Sequence, residues 1–562
     1  MSAWRVVPRL LLRRAGAVRA VLRDAGGARL AVVAGFAAVF GAVVLGEFLA
    51  FRRGLEALRG LDLAGLALSL YFLESVLVLI LLIALVSYVA SGLWVFYRAG
   101  DTRFLLASPL PLPGLFALRA VQTFLLTSWP LAVVGAPALV ALGTAHARGA
   151  GFYAAGAGTL GLFAVLIGAA GALVTAVAGS ALRRAPTRLA VGVVTVALVA
   201  LFAVAVGRGV VPSTSDFYAI FEPGALNGKP ASIKFIETKF ALWPSHPYAA
   251  ALHAGATGSE AGSAATRAAA WLLPAAVLAL AATLGLGLYR RALPTVAESF
   301  VLAGGEPAAP GRGRARSFPR RLAGPVGALV ERDLLALVRN PHEWSRAAFL
   351  VFLLALYTAF LFVAPLGEVA DRPAAVARLL LLNVLAAGYF LTAFGLRFVF
   401  PSVSLEGRAA WVLFSSPVSL RRLLAAKLGL HAGLLAAAVV PIALAGTLRL
   451  TGDPRLVAAT AVLLLLLAAT TATLLLALGA AWPNFREPNP EALSTSGAGL
   501  AGTLACLGYV ALVGWCASRV ALALAAGGGG LPWLALAGLV SAALVAGALA
   551  LAWRRLPTLE VV

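Results

Sequence analysis

Glu74 is the ionisable residue set deepest in an apolar run of this chain, with Arg397 and His431 nearer the ends of theirs. An intramembrane carboxylate is costly to keep and usually functional, so Glu74 is a candidate for proton coupling, and a position near the interface would let it reach water. No further carboxylates line up with it as a relay. His246 and His253, seven apart in a Gly- and Pro-containing stretch, could ligate a metal, but no third ligand stands at a supporting spacing. Cys506 and Cys516 lie in one apolar run and read as packing residues rather than a disulfide framework or thiolate site. Phosphate chemistry is the clearest gap. The loop G-x-x-x-x-G-K-[S/T] needs a lysine after glycine, and of the four lysines only Lys229 follows one, with Pro230 behind it. The residues themselves therefore point to no catalytic, cofactor-binding or metal site in this chain.

What must hold these residues is a membrane fold. The 562 residues are 61% hydrophobic and only 12% charged, with mean hydropathy +0.95, and no water-soluble fold covers that composition with polar surface. The formal charge of +23 would suggest nucleic acid in a soluble domain, but nearly all the cations are arginines placed between apolar runs. They suit membrane orientation, with the lipid bilayer as partner and no nucleic acid.

An all-α polytopic protein is expected, with about twelve spans in two parallel six-helix repeats, each preceded by a surface-lying amphipathic helix. Residues 1–29 read as a cytoplasmic segment whose helix over 8–24 puts Leu11, Val18 and Leu22 opposite Arg9, Arg13, Arg19 and Arg23. The segment is too densely charged for a signal peptide and is expected to stay attached. The first six-span half covers 30–288, with runs at 30–49, 66–95, 120–142, 152–182, 189–211 and 268–288, and an outer loop at 212–267. Residues 289–346 form a basic cytoplasmic linker. It includes the Gly/Pro/Arg-rich tract GGEPAAPGRGRARSFPRR, too poor in apolar residues to order itself. A second amphipathic helix follows at 326–339, with Val326, Leu329, Val330, Leu334, Leu337 and Val338 on one stripe and Glu331, Arg332 and Arg339 off it. Asn340-Pro341 ends it. The second half covers 347–553, with runs at 347–366, 379–399, 428–448, 456–481, 500–524 and 531–553, and 554–562 is a cytoplasmic tail. With both termini inside the cell membrane (an inner or plasma membrane), about 31 of the 45 Lys and Arg fall on the cytoplasmic side, as the positive-inside rule asks. An even number of spans in each half sets the repeat axis along the membrane normal.

The repeat is written in one element. Laying Ser416-Pro417 on Ser108-Pro109 puts VLFSSPVSLRRLLAAK over FLLASPLPLPGLFALR without a gap, and Lys427 lands on Arg119. Each copy is an apolar turn, a Ser-Pro stop, a second apolar turn and a closing cation. Topology alone accounts for cations and a Ser-Pro helix start at a cytoplasmic edge, but it does not require similar elements at equivalent places.

These residues resemble a known family. A surface helix ending in R-N-P, six spans, and an EGR…SSP…K loop between the second and third of them are similar to the permease subunit of ABC-2-type exporters. The segment WPNFREPNPEA at 482–492 resembles the P-x-F-x-x-x-N-P stretch of one group of ABC exporters. The likeness covers the second half well and the first half mainly in order and topology. It implies two six-span halves without an ATPase site of their own, exporting a substrate with ATP hydrolysed on a separate ABC ATPase subunit. Carried over residue by residue, it implies ATPase docking by Glu406, Arg408, Ser416, Pro417, Arg421, Arg422 and Lys427, echoed by Asp101, Arg103, Ser108, Pro109 and Arg119.

Two other classes stay open. A secondary carrier of the major facilitator type shares six plus six spans and a basic central loop, but its Gly/Asp/Arg loop signature is missing between the second and third runs. A membrane glycosyltransferase would use acids in an early outer loop. Glu47, Glu56 and Asp62 lie there, interspersed with Arg52, Arg53 and Arg59 and without paired spacing. Substrate is not encoded in any feature of the chain, since apolar walls suit lipids, peptides and amphiphilic drugs alike.

Overall fold

The computed structural model describes residues 27–59, 62–97, 99, 101–107, 110–182, 242–258, 264–294, 324–339, 341–363, 372–411, 415, 419–487 and 490–555. These residues are helical, with no strand among them. In chain order the helices are α1 (Gly27–Arg59), α2 (Asp62–Tyr97), α3 (Thr102–Ala107), α4 (Leu112–Thr127), α5 (Ala136–Ala145), α6 (Ala150–Leu182), α7 (His246–Thr257) and α8 (Ala264–Leu280). Then come α9 (Pro325–Arg339), α10 (Pro341–Val363), α11 (Pro373–Phe394), α12 (Leu420–Leu450), α13 (Pro454–Ala481), α14 (Pro490–Ser494), α15 (Gly497–Ala525) and α16 (Leu531–Arg555).

Among the described residues nine helices are long and apolar enough to cross a membrane, which makes this a polytopic membrane protein. A tenth candidate is the pair Leu112–Thr127 and Leu131–Ala145, bent by 51°. The bend falls at Pro130 and a π-helical turn, Leu131–Gly135, where the missing N–H and the extra residue break the regular ladder. The run expected at 347–366 is shorter. The first turns of α10 carry His342, Glu343 and Arg346, leaving Phe349–Phe362 as its apolar part. The run expected at 189–211 and the helix expected over 8–24 lie outside the described residues, as does most of the linker tract. Part of the expected outer loop is helical: α7 starts at His246-Pro247, ends at Gly258 with φ +75°, and buries Tyr248, Ala249 and Leu252.

Contacts divide the chain into two compact units. One is Met1–Asp24 with Ala38–Ala315, and the other is Ala25–Ala37 with Arg316–Val562. The break at 315/316 falls inside the linker that the sequence marks. In the first unit α2 is the central helix, packed by α4, α6 and α7. Leu77, Ile80, Leu142, Phe163 and Tyr248 fill one layer, and an aromatic group of Phe96, Tyr97, Phe116 and Tyr289 fills another. The Tyr289 hydroxyl donates to the Phe96 carbonyl at 3.2 Å, so the ring's polar end is met inside the apolar layer.

In the second unit α11 packs on α15, and α13 lies against α12, α15 and α16. Buried Asn383 donates to the Ala443 carbonyl at 2.8 Å and to Thr447 Oγ1 at 3.1 Å, tying α11 to α12 where a membrane offers no water. After a π-helical turn at Gly395–Val399 the chain tightens into 3₁₀ turns at Phe400–Ser402 and Ser404–Ala409. These sit so close to α13 that a Cβ on Gly479 would lie 2.1 Å from the Phe400 carbonyl oxygen. Only glycine allows that approach, and it brings the 404–409 turn beside the start of α12.

Candidate functional site

Lys427 lies about two turns into α12, 3% exposed, in a helix that carries no acidic residue. A buried ammonium needs partners from elsewhere. Its Nζ lies 2.8 Å from Asp333 Oδ2 on α9 and 2.7 Å from Glu406 Oε1 in the 3₁₀ turn. Arg332 closes the group from outside, with Nη2 at 2.6 Å from Asp333 Oδ1 and 2.5 Å from Glu406 Oε1. Two cations and two carboxylates thus form a neutral node joining α9, the 404–409 turn and α12. Burial alone would raise the Asp333 carboxyl, but Lys427 and then Arg332 outweigh it and hold it below the usual carboxylate range.

Gly407 gives the turn its shape. Its φ of +55° and ψ of −138° match the first central position of a type II′ turn, which glycine favours. The neighbouring Ser404 Oγ accepts from the Asn484 backbone N–H at 3.1 Å, and Ser494 Oγ donates to the Leu396 carbonyl at 2.7 Å. The segment 482–492 and α14 are in this way stitched to the stretch around the node.

The first unit holds a counterpart built on Arg119, 1% exposed. Its Nη2 donates to Asp101 Oδ1 at 2.7 Å and to Thr102 Oγ1 at 2.9 Å, and its Nη1 to Gln122 Oε1 at 3.0 Å. Its Nε is buried with no hydrogen-bond partner. The two residues that the sequence echo superposes therefore do the same thing, each as a buried cation at the start of a membrane helix paired to a carboxylate just upstream.

Of the residues expected to dock an ATPase, the structure brings Glu406 and Lys427 together and, separately, Asp101 and Arg119. Lys427 and Arg119, expected on a docking face, are buried instead. Arg421 and Arg422 are exposed on the first turn of α12 and stand outside the node. Ser108, Pro109, Ser416 and Pro417 lie outside the described residues, and the side chains of Arg103 and Arg408 are not described. Asp333 and Arg332 were missed, the first entirely and the second as a residue merely off the apolar stripe. The available signal was an unmatched lysine in α12 facing an Arg-Asp pair on an otherwise apolar surface helix.

At the far side of the first unit Glu74 is fully buried, not interfacial, and its Oε1 lies 2.6 Å from His246 Nδ1. His253 Nε2 lies 2.8 Å from Ser69 Oγ, whose own hydrogen goes to the Leu66 carbonyl, so the imidazole donates. Burial, aided by His146, pulls the pKa of His253 down from 6.5 to about 4. No group of three or more His, Cys, Asp or Glu able to hold a metal exists among the described residues. Cys506 and Cys516 are buried free thiols.

Comparison with known families decides the broader class. A family profile described as "Putative ATP-binding cassette" matches residues 25–527. The chain belongs to this family. No curated protein and no solved structure matches it. The family match overturns the expectation of an ABC-2 permease subunit, and with it the export function assigned to a permease, the lack of an ATPase function and the placing of ATP on a partner only. The family's description implies that the chain itself binds and hydrolyses ATP, and it places the chain among ABC-type transport proteins in general.

A nucleotide cradle of the phosphate-loop kind needs a strand, a glycine-rich turn and a lysine for the phosphates. No strand leads into a glycine-rich turn among the described residues, and Lys427, the one lysine they contain, is spent on Asp333 and Glu406. They do not form a phosphate loop of the G-x-x-x-x-G-K-[S/T] kind.

Proposed function

We propose that this member of the ATP-binding cassette family moves a substrate across the cell membrane, and that the Lys427 node is the joint by which motion at the membrane surface reaches a span. The observation that carries the reading is that one buried ammonium fastens a surface helix, α9, and a glycine-shaped turn to the first turns of α12. A joint of buried ion pairs has two discrete arrangements, made or broken. It passes displacement to a rigid helix where a flexible loop would absorb it. In this reading α9 and the 404–419 loop form the docking face for an ABC ATPase unit. Glu406 and Lys427 hold that face from within, and Asp101 and Arg119 hold its counterpart in the first half. Both termini and the linker are then cytoplasmic, and 30–288 and 347–553 are the two membrane halves.

The test is a cysteine at Gly429, a position on α12 with open space around it, in protein kept in native membranes. Its labelling rate is expected to change on adding ATP, and Lys427→Met is expected to abolish that change while the protein remains inserted. An ATP response that is the same in the variant overturns the joint.

A further inference from the structure

Arg421 and Arg422 open α12 on the turn where the helix dipole disfavours cations, and α12, α13 and α16 contain no Asp or Glu. Among the described residues no ion pair is made by Arg421, Arg422 or Arg554. The Arg421 guanidinium carbon stands 5.2 Å from the centre of the Trp553 ring, which links the start of α12 to the end of α16. Arg555, in the same last turn, stands 5.0 Å from the Trp482 ring, which links α16 to the end of α13. Three helix ends thus gather four exposed arginines and two tryptophans, themselves 43% and 42% exposed.

We propose that this patch binds the phosphate of an anionic phospholipid in the leaflet at this end of the second unit. Guanidinium groups match phosphate oxygens two by two, and among the described residues the charges of Arg421, Arg422 and Arg554 meet no carboxylate. Indole rings at the ends of spans sit at headgroup depth, which places the arginines they hold among lipid phosphates rather than in bulk water. The opposite end of the same helices gives the contrast. There Arg519 lies 5.0 Å from the Trp533 ring, which is in turn packed on Trp515. The other arginines at this end differ, Arg449 donating to the Leu361 and Phe362 carbonyls and Arg455 following the N-cap Asp453, so a gathering of four around indole rings is not a general consequence of span ends. The patch lies outside the Lys427 node, and the proposal does not depend on the function assigned to that node.

The experiment uses the full chain purified in neutral detergent, titrated with short-chain phosphatidylglycerol or phosphatidylcholine and followed by native mass spectrometry and thermal unfolding. Phosphatidylglycerol is expected to bind at least about tenfold more tightly, in line with the attraction of several cations near an anionic headgroup. The Arg421→Gln/Arg422→Gln/Arg554→Gln/Arg555→Gln variant is expected to lose that preference to within about twofold and to keep its midpoint in neutral lipid, while Arg519→Gln keeps the preference. Where the fourfold variant is not stable, Arg421→Gln/Arg422→Gln gives the same reading with a partial loss. Equal binding of the two lipids, or an unchanged preference in the variants, overturns the proposal. So does equal stabilisation by millimolar inorganic phosphate without lipid, which would make the site one for free anions. A variant that keeps its lipid preference but loses an ATPase unit would make the patch a protein interface and overturn it too.

Discussion

The Lys427 and Arg119 nodes solve one problem with different amounts of structure. Each buries a cation at the start of a membrane helix. Arg119 is satisfied locally, by Asp101, Thr102 and Gln122, all within 18 residues of it in the chain. Lys427 reaches Asp333, 94 residues away, and Arg332 reaches Glu406 across 74. Both cations lie on helices without acids and take a carboxylate from shortly upstream, Asp101 for Arg119 and Glu406 for Lys427; what sets Lys427 apart is that its ammonium also gathers Asp333 from α9. The teaching of the difference is that similar segments do not imply similar coupling. The second node binds a surface helix to a span, and the first, among the described residues, binds a short helix to the next one.

The largest effect expected from this contrast is on stability. Lys427→Met leaves Asp333 and Glu406, 14% and 12% exposed, facing one another with Arg332 alone to neutralise them. Breaking a buried pair in this way should cost about 3 kcal/mol. Arg119→Met takes one partner from Asp101, which is 36% exposed and can be rehydrated, and should cost about half as much. Thermal unfolding of both variants in one detergent measures the ratio. Equal losses would show that the second node is no more deeply committed than the first.

The two units should also fail at different pH. His253 in the first unit is held neutral, its pKa lowered from 6.5 to about 4 by burial and then by His146. Between those values the unfolded chain binds a proton that the folded unit refuses. Stability therefore falls as pH drops through that window, by up to about 3 kcal/mol. His146 is shifted in the same direction, by burial first, and adds to the fall. In the second unit the Asp333 carboxyl lies below its ordinary 3.8, so its contribution is intact above that value and is lost only as pH falls through the lower folded one. Hydrogen exchange of α7 and of α9 as pH is lowered from 7 separates the two, with α7 opening first. His253→Gln keeps a donor for Ser69 and should flatten the α7 response. Opening of both helices together would erase the distinction between the units.

What the sequence could and could not announce follows the same line between local and distant. Hydropathy is a local quantity, so the spans at 66–95, 456–481, 500–524 and 531–553 fall inside α2, α13, α15 and α16. The equivalence of Lys427 and Arg119 was legible because the echo between their segments has no gap. The partner Asp333 was not, because it depends on where α9 folds back, and nothing near Lys427 in the chain encodes that. Glu74 was legible as important but misplaced in depth, since its burial comes from α7, a helix inside a segment that reads as a loop. The role of ATP was misjudged for a different reason: a missing motif says what one loop does not do, and the family match speaks for the whole chain.

The smallest expected effect tests whether the second node depends on its turn. Counted back at the offset of the echo, past the stretch that the echo aligns, Gly407 stands opposite Ala99, which is not among the described residues with positive φ, of which Ala147 is the sole non-glycine. Among the described residues, then, a positive φ stands at Gly407 and not at Ala99. Gly407→Ala forces a Cβ onto a backbone at φ +55° and ψ −138°, which should cost about 1–2 kcal/mol, whereas Ala99→Gly should cost less than about 1 kcal/mol. Strain is one way for the alanine to act and misplacement of Glu406 the other, and a double-mutant cycle tells them apart. With Glu406→Gln as the second change, pure strain gives additive losses of stability, because the carboxylate contributes the same with or without it. If the glycine serves to aim Glu406 at Lys427 and Arg332, the double variant loses less than the sum by about 0.5 kcal/mol or more, since the pairing is already broken by either change. Additive losses would leave the node standing, with Glu406 still paired to Lys427 and Arg332, and would reduce the glycine to a relief of backbone strain.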